Sequence, residues 1–129
     1  MKKYFYEETG MYVDWDQLKK LPSIDTFVDV GVGPNGSPEL YKLFEESKLI
    51  LIDPLSESED YINKELSHRD LSYYKVAVGD SKSKLKINVE QELGRSTLLN
   101  VTEINFEGNN IDKREIDVIK LDHLVEQEN

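Results

Sequence analysis

The chain has 129 residues, of which 38% are hydrophobic and 33% are charged, and it contains no cysteine. Its formal net charge of -10 argues against a nucleic-acid backbone or an anionic membrane as partner, because both need a cationic surface. The lack of cysteine excludes disulfide bonds, thiolate metal sites and a cysteine nucleophile.

Targeting signals and metal-binding patterns are also missing from the sequence. The stretch MKKYFYEETGMYVDW has no apolar run like that of a signal peptide, and no later run is long enough to span a membrane. We therefore expect a cytoplasmic protein with a single domain, residues 1–129. The histidines His68 and His123 are too far apart in sequence to predict a metal site.

The first predicted elements are a short helix, a buried strand and a second helix. DWDQLKKL (14–21) has apolar residues at helical spacing behind Asp14, a residue type that caps helices. Residues 26–32 form a nearly continuous apolar run, which is typical of a buried parallel strand. Ser37 is then a candidate cap for a helix that has Pro38 at its first position.

The next elements continue this alternation of strands and helices. KLILI (48–52) is a second buried strand, the S-x-x-E pattern from Ser56 to Glu59 is a capping box, and YYKVAV (73–78) is a third strand. This order predicts right-handed crossovers and a parallel sheet. Residues 14–80 are therefore the predicted β/α core.

Beyond residue 80 the pattern changes. The segment 84–90 alternates apolar and polar residues, so we expect an antiparallel strand with one wet face. Residues 94–100 and 106–113 are predicted as loop or turn around a weaker strand. An extended segment and a helical tail, LDHLVEQ, follow. Residues 84–122 form the predicted antiparallel β extension.

The turn between the first core strand and its helix, DVGVGPNG (29–36), carries the strongest chemical signal. Glycines there let backbone N–H groups approach a ligand, although an ordinary tight turn also uses glycine. Asp53 ends the next strand about 20 residues after Gly31, where an acid can accept hydrogen bonds from ribose hydroxyls.

Asp53 does not distinguish between a dinucleotide and S-adenosylmethionine, because both carry an adenosine ribose. Asp29 favours the second ligand, since a carboxylate beside the loop repels a pyrophosphate and attracts an ammonium group. The alternative for Asp29 is a strand-end acid that faces solvent.

These residues resemble motif I of the class I S-adenosylmethionine-dependent methyltransferases, and the chain is similar, more narrowly, to the FkbM-type methyltransferases. The resemblance covers about residues 24–125. It implies a Rossmann-like α/β fold, incomplete here, with three parallel strands, flanking helices and a β-hairpin region. The segments that carry it are FVDVGVGPNGS, LILIDP (where the family usually has Glu-Pro), KVAVGDSKSKLKINV, Ser96 to Leu98, and VIKLDHL.

The resemblance also implies site residues. Asp29, Gly31 and Gly33 would line the methionine end of S-adenosylmethionine, and Asp53 would bind its ribose. Asp80, with Ala77 and Val78, would lie near the adenine.

Two of these matches have an equally good plain explanation. Asp80 is also the kind of acid found in a solvated turn. Ser96 and Thr97 match a small-hydroxyl position of the family, and a polar loop accounts for them as well.

The activity implied by the resemblance is O-methylation of a hydroxyl group on a small molecule or sugar. The sequence does not identify a catalytic base. VIKLDHL matches the family segment that precedes the fourth strand, so we expect a cofactor-binding fragment in which the first core strand has an open edge. Such an edge invites formation of a homo-oligomer or pairing with a missing C-terminal half.

Two other functions stay open at this point. One is a non-catalytic module that binds a nucleoside cofactor or assembles through the open edge. The other is a nicotinamide dinucleotide-binding domain, which Asp29 disfavours.

Overall fold

The computed structural model describes residues 3–6, 11–89 and 112–128 of the chain. The predicted loop at 94–100, with Ser96 and Thr97, lies outside these residues, as does the loop predicted at 106–113 except for its last two residues.

Two short strands and one helical turn precede the parallel sheet. β1 (Lys3–Tyr6) and β2 (Met11–Asp14) pair antiparallel, and α1 (Trp15–Leu18) follows directly. The Asp14 carboxylate caps α1 by accepting a hydrogen bond from the Gln17 N–H at 3.2 Å. The predicted helix is confirmed, but it ends at Leu18 and not at Leu21, and beyond it the N–H groups of Lys20 and Leu21 donate to the carbonyls three residues back.

Three parallel strands form the central sheet, as predicted. They are joined by two helices, so the order along the chain is strand, helix, strand, helix, strand, and the spatial order is β3-β4-β5. The elements are β3 (Thr26–Val30), α2 (Pro38–Leu43), β4 (Lys48–Ile52), α3 (Ser56–Glu65) and β5 (Leu71–Tyr74).

The central strand β4 is buried on both faces, which explains its continuous apolar sequence. Leu49 and Leu51 face the crossover helices and pack in one cluster with Tyr41 and Ile62. Ile50 and Ile52 point to the opposite face of the sheet and pack with Leu124 of the C-terminal helix. The sheet therefore has a helical layer on each side.

The predicted start of α2 is confirmed, with Pro38 at its first position, whereas the predicted capping box of α3 is wrong. Ser37 occupies the N-cap position of α2, but its side chain makes no cap hydrogen bond. The N-cap of α3 is Leu55, so Ser56 lies inside the helix and forms no capping box. The Ser56 and Glu59 side chains contact Lys75 instead, whose Nζ donates to Ser56 Oγ at 3.3 Å and to Glu59 Oε2 at 2.5 Å, and the Glu59 N–H donates to the Leu55 carbonyl.

The predicted third strand, residues 73–78, is two strands in different sheets. β5 ends at Tyr74, and β6 (Ala77–Val78) belongs to the second sheet. The Val76 N–H donates to the Tyr74 carbonyl at 2.9 Å, a tight turn that interrupts the ladder.

The second sheet has the order β6-β8-β7 and contains the predicted antiparallel hairpin. β7 (Ser83–Val89) pairs antiparallel with β8 (Asp112–Ile119), and β6 pairs parallel with β8. α4 (Leu121–Glu128) confirms the predicted helical tail. β8 therefore lies between β6 and β7.

A polar cluster fixes α4 to the central sheet. Lys48 Nζ donates to Glu128 Oε2 at 2.6 Å, and the Tyr74 hydroxyl donates to the other carboxylate oxygen. These hydrogen bonds, with one from Ser72, lower the pKa of Glu128 from 4.5 to about 2. Within the described ranges, no helix is long and apolar enough to cross a membrane.

We predict that Glu128→Gln lowers the melting temperature at pH 7 by about 2–5 °C. A depressed carboxyl pKa stabilises the folded state above the ordinary pKa, and this contribution is lost as the pH falls from 4.5 towards about 2. The difference between wild type and variant should therefore shrink over that interval in thermal melts. A difference that stays constant down to pH 2 would show that the Glu128 charge does not hold the helix.

Candidate functional site

A cavity lies where the carboxyl ends of β3 and β4 meet the second sheet. Its volume is about 260 Å³. Its lining includes the glycine turn, the end of β4 and apolar residues of the second sheet. Among the lining residues are Gly31, Gly33, Asp53, Leu55, Val78 and Ile87.

The glycine turn contains two kinds of glycine. Gly33 has a φ of +69°, and a Cβ added to it would meet no atom within 4 Å, so its backbone faces open space. Gly36 has a φ of +58°, and a Cβ added there would lie 2.3 Å from Tyr61 Cε1. Gly33 therefore gives a ligand access to the backbone, whereas Gly36 accommodates the ring of Tyr61.

Asp53 ties the glycine turn to the rest of the sheet. The residue is 5% exposed, and its Oδ2 accepts the Gly33 N–H at 3.0 Å while Oδ1 accepts the Leu55 N–H. Each carboxylate oxygen has a second acceptor position, so these bonds leave capacity for ligand hydroxyls. The end of β3 is fixed as well, because the Gly31 N–H donates to the Ile52 carbonyl at 2.8 Å.

Asp29 lies one residue before the cavity wall and points to α2. Its Oδ2 accepts a hydrogen bond from the Tyr41 hydroxyl at 2.5 Å. Burial raises the pKa of Asp29, the Tyr41 hydrogen bond opposes this rise, and the nearby Asp53 charge adds to it. The side chain is half-buried rather than a plain solvent-facing acid.

The predicted site residues do not all meet. Gly31, Gly33 and Asp53 line one cavity, and Ala77 and Val78 reach it too. Asp29 and Asp80 are not among the described residues that line it. Asp80 is exposed and accepts a hydrogen bond from Ser81 Oγ at 3.2 Å, which matches the solvated-turn alternative.

Neither Asp29 nor Asp53 has a cationic partner among the described residues. Within the described part of the chain, no lysine, arginine or histidine forms an ion pair with Asp29 or Asp53. Hydrogen bonds therefore stabilise these two charges without neutralising them. The electrostatics of the site favour a ligand group that carries positive charge.

Sequence reasoning missed three contributors to this region. Leu55 and Ile87 line the cavity, and Tyr41 is the partner of Asp29. Ile87 belongs to the second sheet, and its approach to the glycine turn depends on tertiary packing. Tyr41 lies in a helix whose apolar pattern predicts only packing against the sheet. The sequence therefore does not indicate the hydrogen bond between Tyr41 and Asp29.

A second cleft, of about 450 Å³, lies between α2 and α3. Its lining includes Tyr41, Tyr61 and Arg69. Arg69 has a structural role, because its guanidinium donates hydrogen bonds to the carbonyls of Tyr41 and Phe44 at the end of α2. We assign no chemistry to this cleft.

Comparison of the chain with protein-family models, with curated proteins and with solved structures gives no match.

We predict that alanine substitutions separate the two kinds of glycine. Gly33→Ala should cost about 1–2 kcal/mol of unfolding free energy, because only its left-handed backbone disfavours a side chain. Gly36→Ala should cost more, since Tyr61 must also move. Urea unfolding measures both values, and a larger loss for Gly33→Ala would contradict the described packing of the turn.

Proposed function

We propose that the chain is the cofactor-binding part of a cytoplasmic S-adenosylmethionine-dependent methyltransferase of the FkbM type. The proposed reaction is O-methylation of a hydroxyl group on a small molecule or sugar. The proposal rests on the motif resemblance, on the α/β architecture and on the geometry of the glycine turn. The mixed α/β architecture, with a three-stranded parallel sheet flanked by helices, is compatible with a Rossmann-like fragment.

The observation that carries the proposal is a pair of carboxylates that have no described cationic partner and lie beside an open glycine turn. S-adenosylmethionine carries a sulfonium and an ammonium group, both positively charged. A site with Asp29 and Asp53 but no described cationic partner suits such a ligand. The open space at Gly31 and Gly33 gives it access to the backbone.

The residues of the site have distinct proposed roles. Gly31 and Gly33 let the ligand approach the backbone, Asp53 accepts hydrogen bonds from the ribose, and Asp29, one residue before the cavity wall, attracts the ammonium group of the amino-acid end. Val78 supplies apolar surface for the adenine. The bound cofactor supplies an electrophilic methyl group, and the chain contributes by binding and orienting it.

The competing ligand is a nicotinamide dinucleotide. Its pyrophosphate is anionic and would lie close to the glycine turn, where Asp53 is buried and Asp29 is nearby. Repulsion between like charges is strong where water is excluded. The same site therefore disfavours NAD.

Isothermal titration of the chain with S-adenosylhomocysteine, with NAD as the comparison ligand, tests this proposal. S-adenosylhomocysteine keeps the ribose and the ammonium group, so we expect it to bind and NAD not to bind. Binding of NAD alone, or of neither ligand, would overturn the proposed function.

We predict that Asp29→Asn weakens S-adenosylhomocysteine binding about tenfold, because the amide keeps the shape of the side chain and removes its charge. Asp25→Asn is the matched control, since Asp25 is exposed just before β3. Titration of both variants should show a loss for Asp29→Asn alone. An NAD affinity that survives or improves in Asp29→Asn would instead support a dinucleotide site.

A second candidate function, an assembly module, is favoured by the edge of the central sheet. Among the described residues, β3 has a hydrogen-bonded neighbour strand on one side only. Val28 and Val30 on this strand are 43% and 53% exposed. Because an edge strand offers unpaired backbone groups, we propose that a second copy of the chain pairs with it.

We predict that the chain self-associates and that Val28→Lys weakens the association about tenfold or more. Sedimentation velocity over a range of concentrations measures this. Leu85→Lys is the matched control, because Leu85 is also 43% exposed on a strand. A monomeric wild-type chain, or dissociation by Leu85→Lys alone, would rule out pairing through β3.

A further inference from the structure

Tyr41 lies beneath the glycine turn and is nearly inaccessible to solvent. Its side chain is 2% exposed and packs edge-on against Phe27 of β3, with ring centroids 6.2 Å apart. Its backbone carbonyl accepts a hydrogen bond from Arg69 Nη1 at 2.8 Å. The ring and its helix are therefore held from two directions, so the hydroxyl has a fixed position.

The hydroxyl of Tyr41 donates a hydrogen bond to one of the two oxygens of the Asp29 carboxylate. It donates to Oδ2 at 2.5 Å and leaves Oδ1 out of the contact. Oδ1 therefore keeps its acceptor capacity. A rigid donor on one oxygen fixes the direction in which the other oxygen points.

We propose that Tyr41 is the positioning residue of the candidate site, whose hydroxyl holds the Asp29 carboxylate in an orientation in which its second oxygen accepts a hydrogen bond from the ammonium group of the ligand. This inference rests on the proposed function for the identity of the ligand. The orienting contact itself rests on the geometry of the tyrosine–aspartate pair.

The charged and titratable groups around Asp29 determine how this role shows in a titration. Asp53 at the end of β4 repels the Asp29 charge, and Tyr61 of α3 lies close enough to be affected by it. Tyr41 opposes burial and Asp53 by stabilising the ionised carboxylate. Its own pKa is raised by burial and by the Asp29 hydrogen bond, so it remains a proton donor at neutral pH.

The first measurement is a carbon-13 NMR titration of the side-chain carboxyl groups without ligand, in which Asp29→Asn identifies the Asp29 signal. In Tyr41→Phe we expect the Asp29 titration midpoint to move to higher pH, because the ring stays and only the donor is lost. Tyr74→Phe is the control, since it removes a hydroxyl that donates to a different carboxylate, that of Glu128. An unchanged midpoint in Tyr41→Phe would overturn the proposal.

The second measurement is a double-mutant cycle with S-adenosylhomocysteine between pH 5 and pH 8. Tyr41→Phe should weaken binding about tenfold, with a loss that grows as the pH falls. The same substitution in the Asp29→Asn background should have no further effect. Equal losses in both backgrounds would mean that Tyr41 does not act through Asp29.

The two measurements also separate this inference from the proposed function. If the wild-type chain does not bind S-adenosylhomocysteine, the proposed cofactor is wrong, and with it the assigned ligand. The carboxyl titration then still decides whether Tyr41 keeps Asp29 ionised.

Discussion

The two hydrogen bonds accepted by the Asp53 carboxylate hold the central part of the fold together. A carboxyl group that is 5% exposed is tolerated only when its oxygens have hydrogen-bond donors. The N–H groups of Gly33 and Leu55 supply them, so one side chain fixes both the glycine turn and the start of α3. The cavity lies between these two segments, and its shape depends on the same contact.

The second sheet completes the site that the first sheet begins. Leu55, at the start of α3, packs in one cluster with Ile87, Ile116 and Val118 of the second sheet. Leu55 lies two residues after Asp53. One short segment therefore both packs against the second sheet, through Leu55, and holds the glycine turn, through Asp53. The antiparallel hairpin is therefore part of the cavity and not an independent appendage.

The apolar pattern of the sequence predicted correctly those strands that are buried along their whole length. β4 was recognisable because a continuous apolar run has few alternatives to a strand buried on both faces. Residues 73–78 are also largely apolar, yet a tight turn at Val76 divides them between two sheets, and no apolar pattern records such a turn. The capping box failed for a related reason, since Lys75, which follows β5, takes the Ser56 and Glu59 side chains as its partners, and local spacing does not record that contact.

The same distinction applies to the candidate site. Gly31, Gly33 and Asp53 could be placed together from the sequence, because the carboxyl ends of neighbouring parallel strands lie at one edge of a sheet. Asp80 could not, since its distance from the cavity depends on the turn that takes β6 into the second sheet. The contact between Tyr41 and Asp29 depends on the rotation of α2, which spacing along the chain does not determine.

The site stabilises two neighbouring carboxylates by different means, and this difference determines how each can respond to a ligand. Backbone N–H groups hold Asp53, so its environment is built into the fold. A single tyrosine hydroxyl holds Asp29, whose raised pKa shows that ionising it costs the folded chain free energy. A cationic ligand would offset that cost, whereas an anionic ligand would add to it. Asp53 therefore gives the site its geometry, and Asp29 gives it a preference for the sign of the ligand's charge.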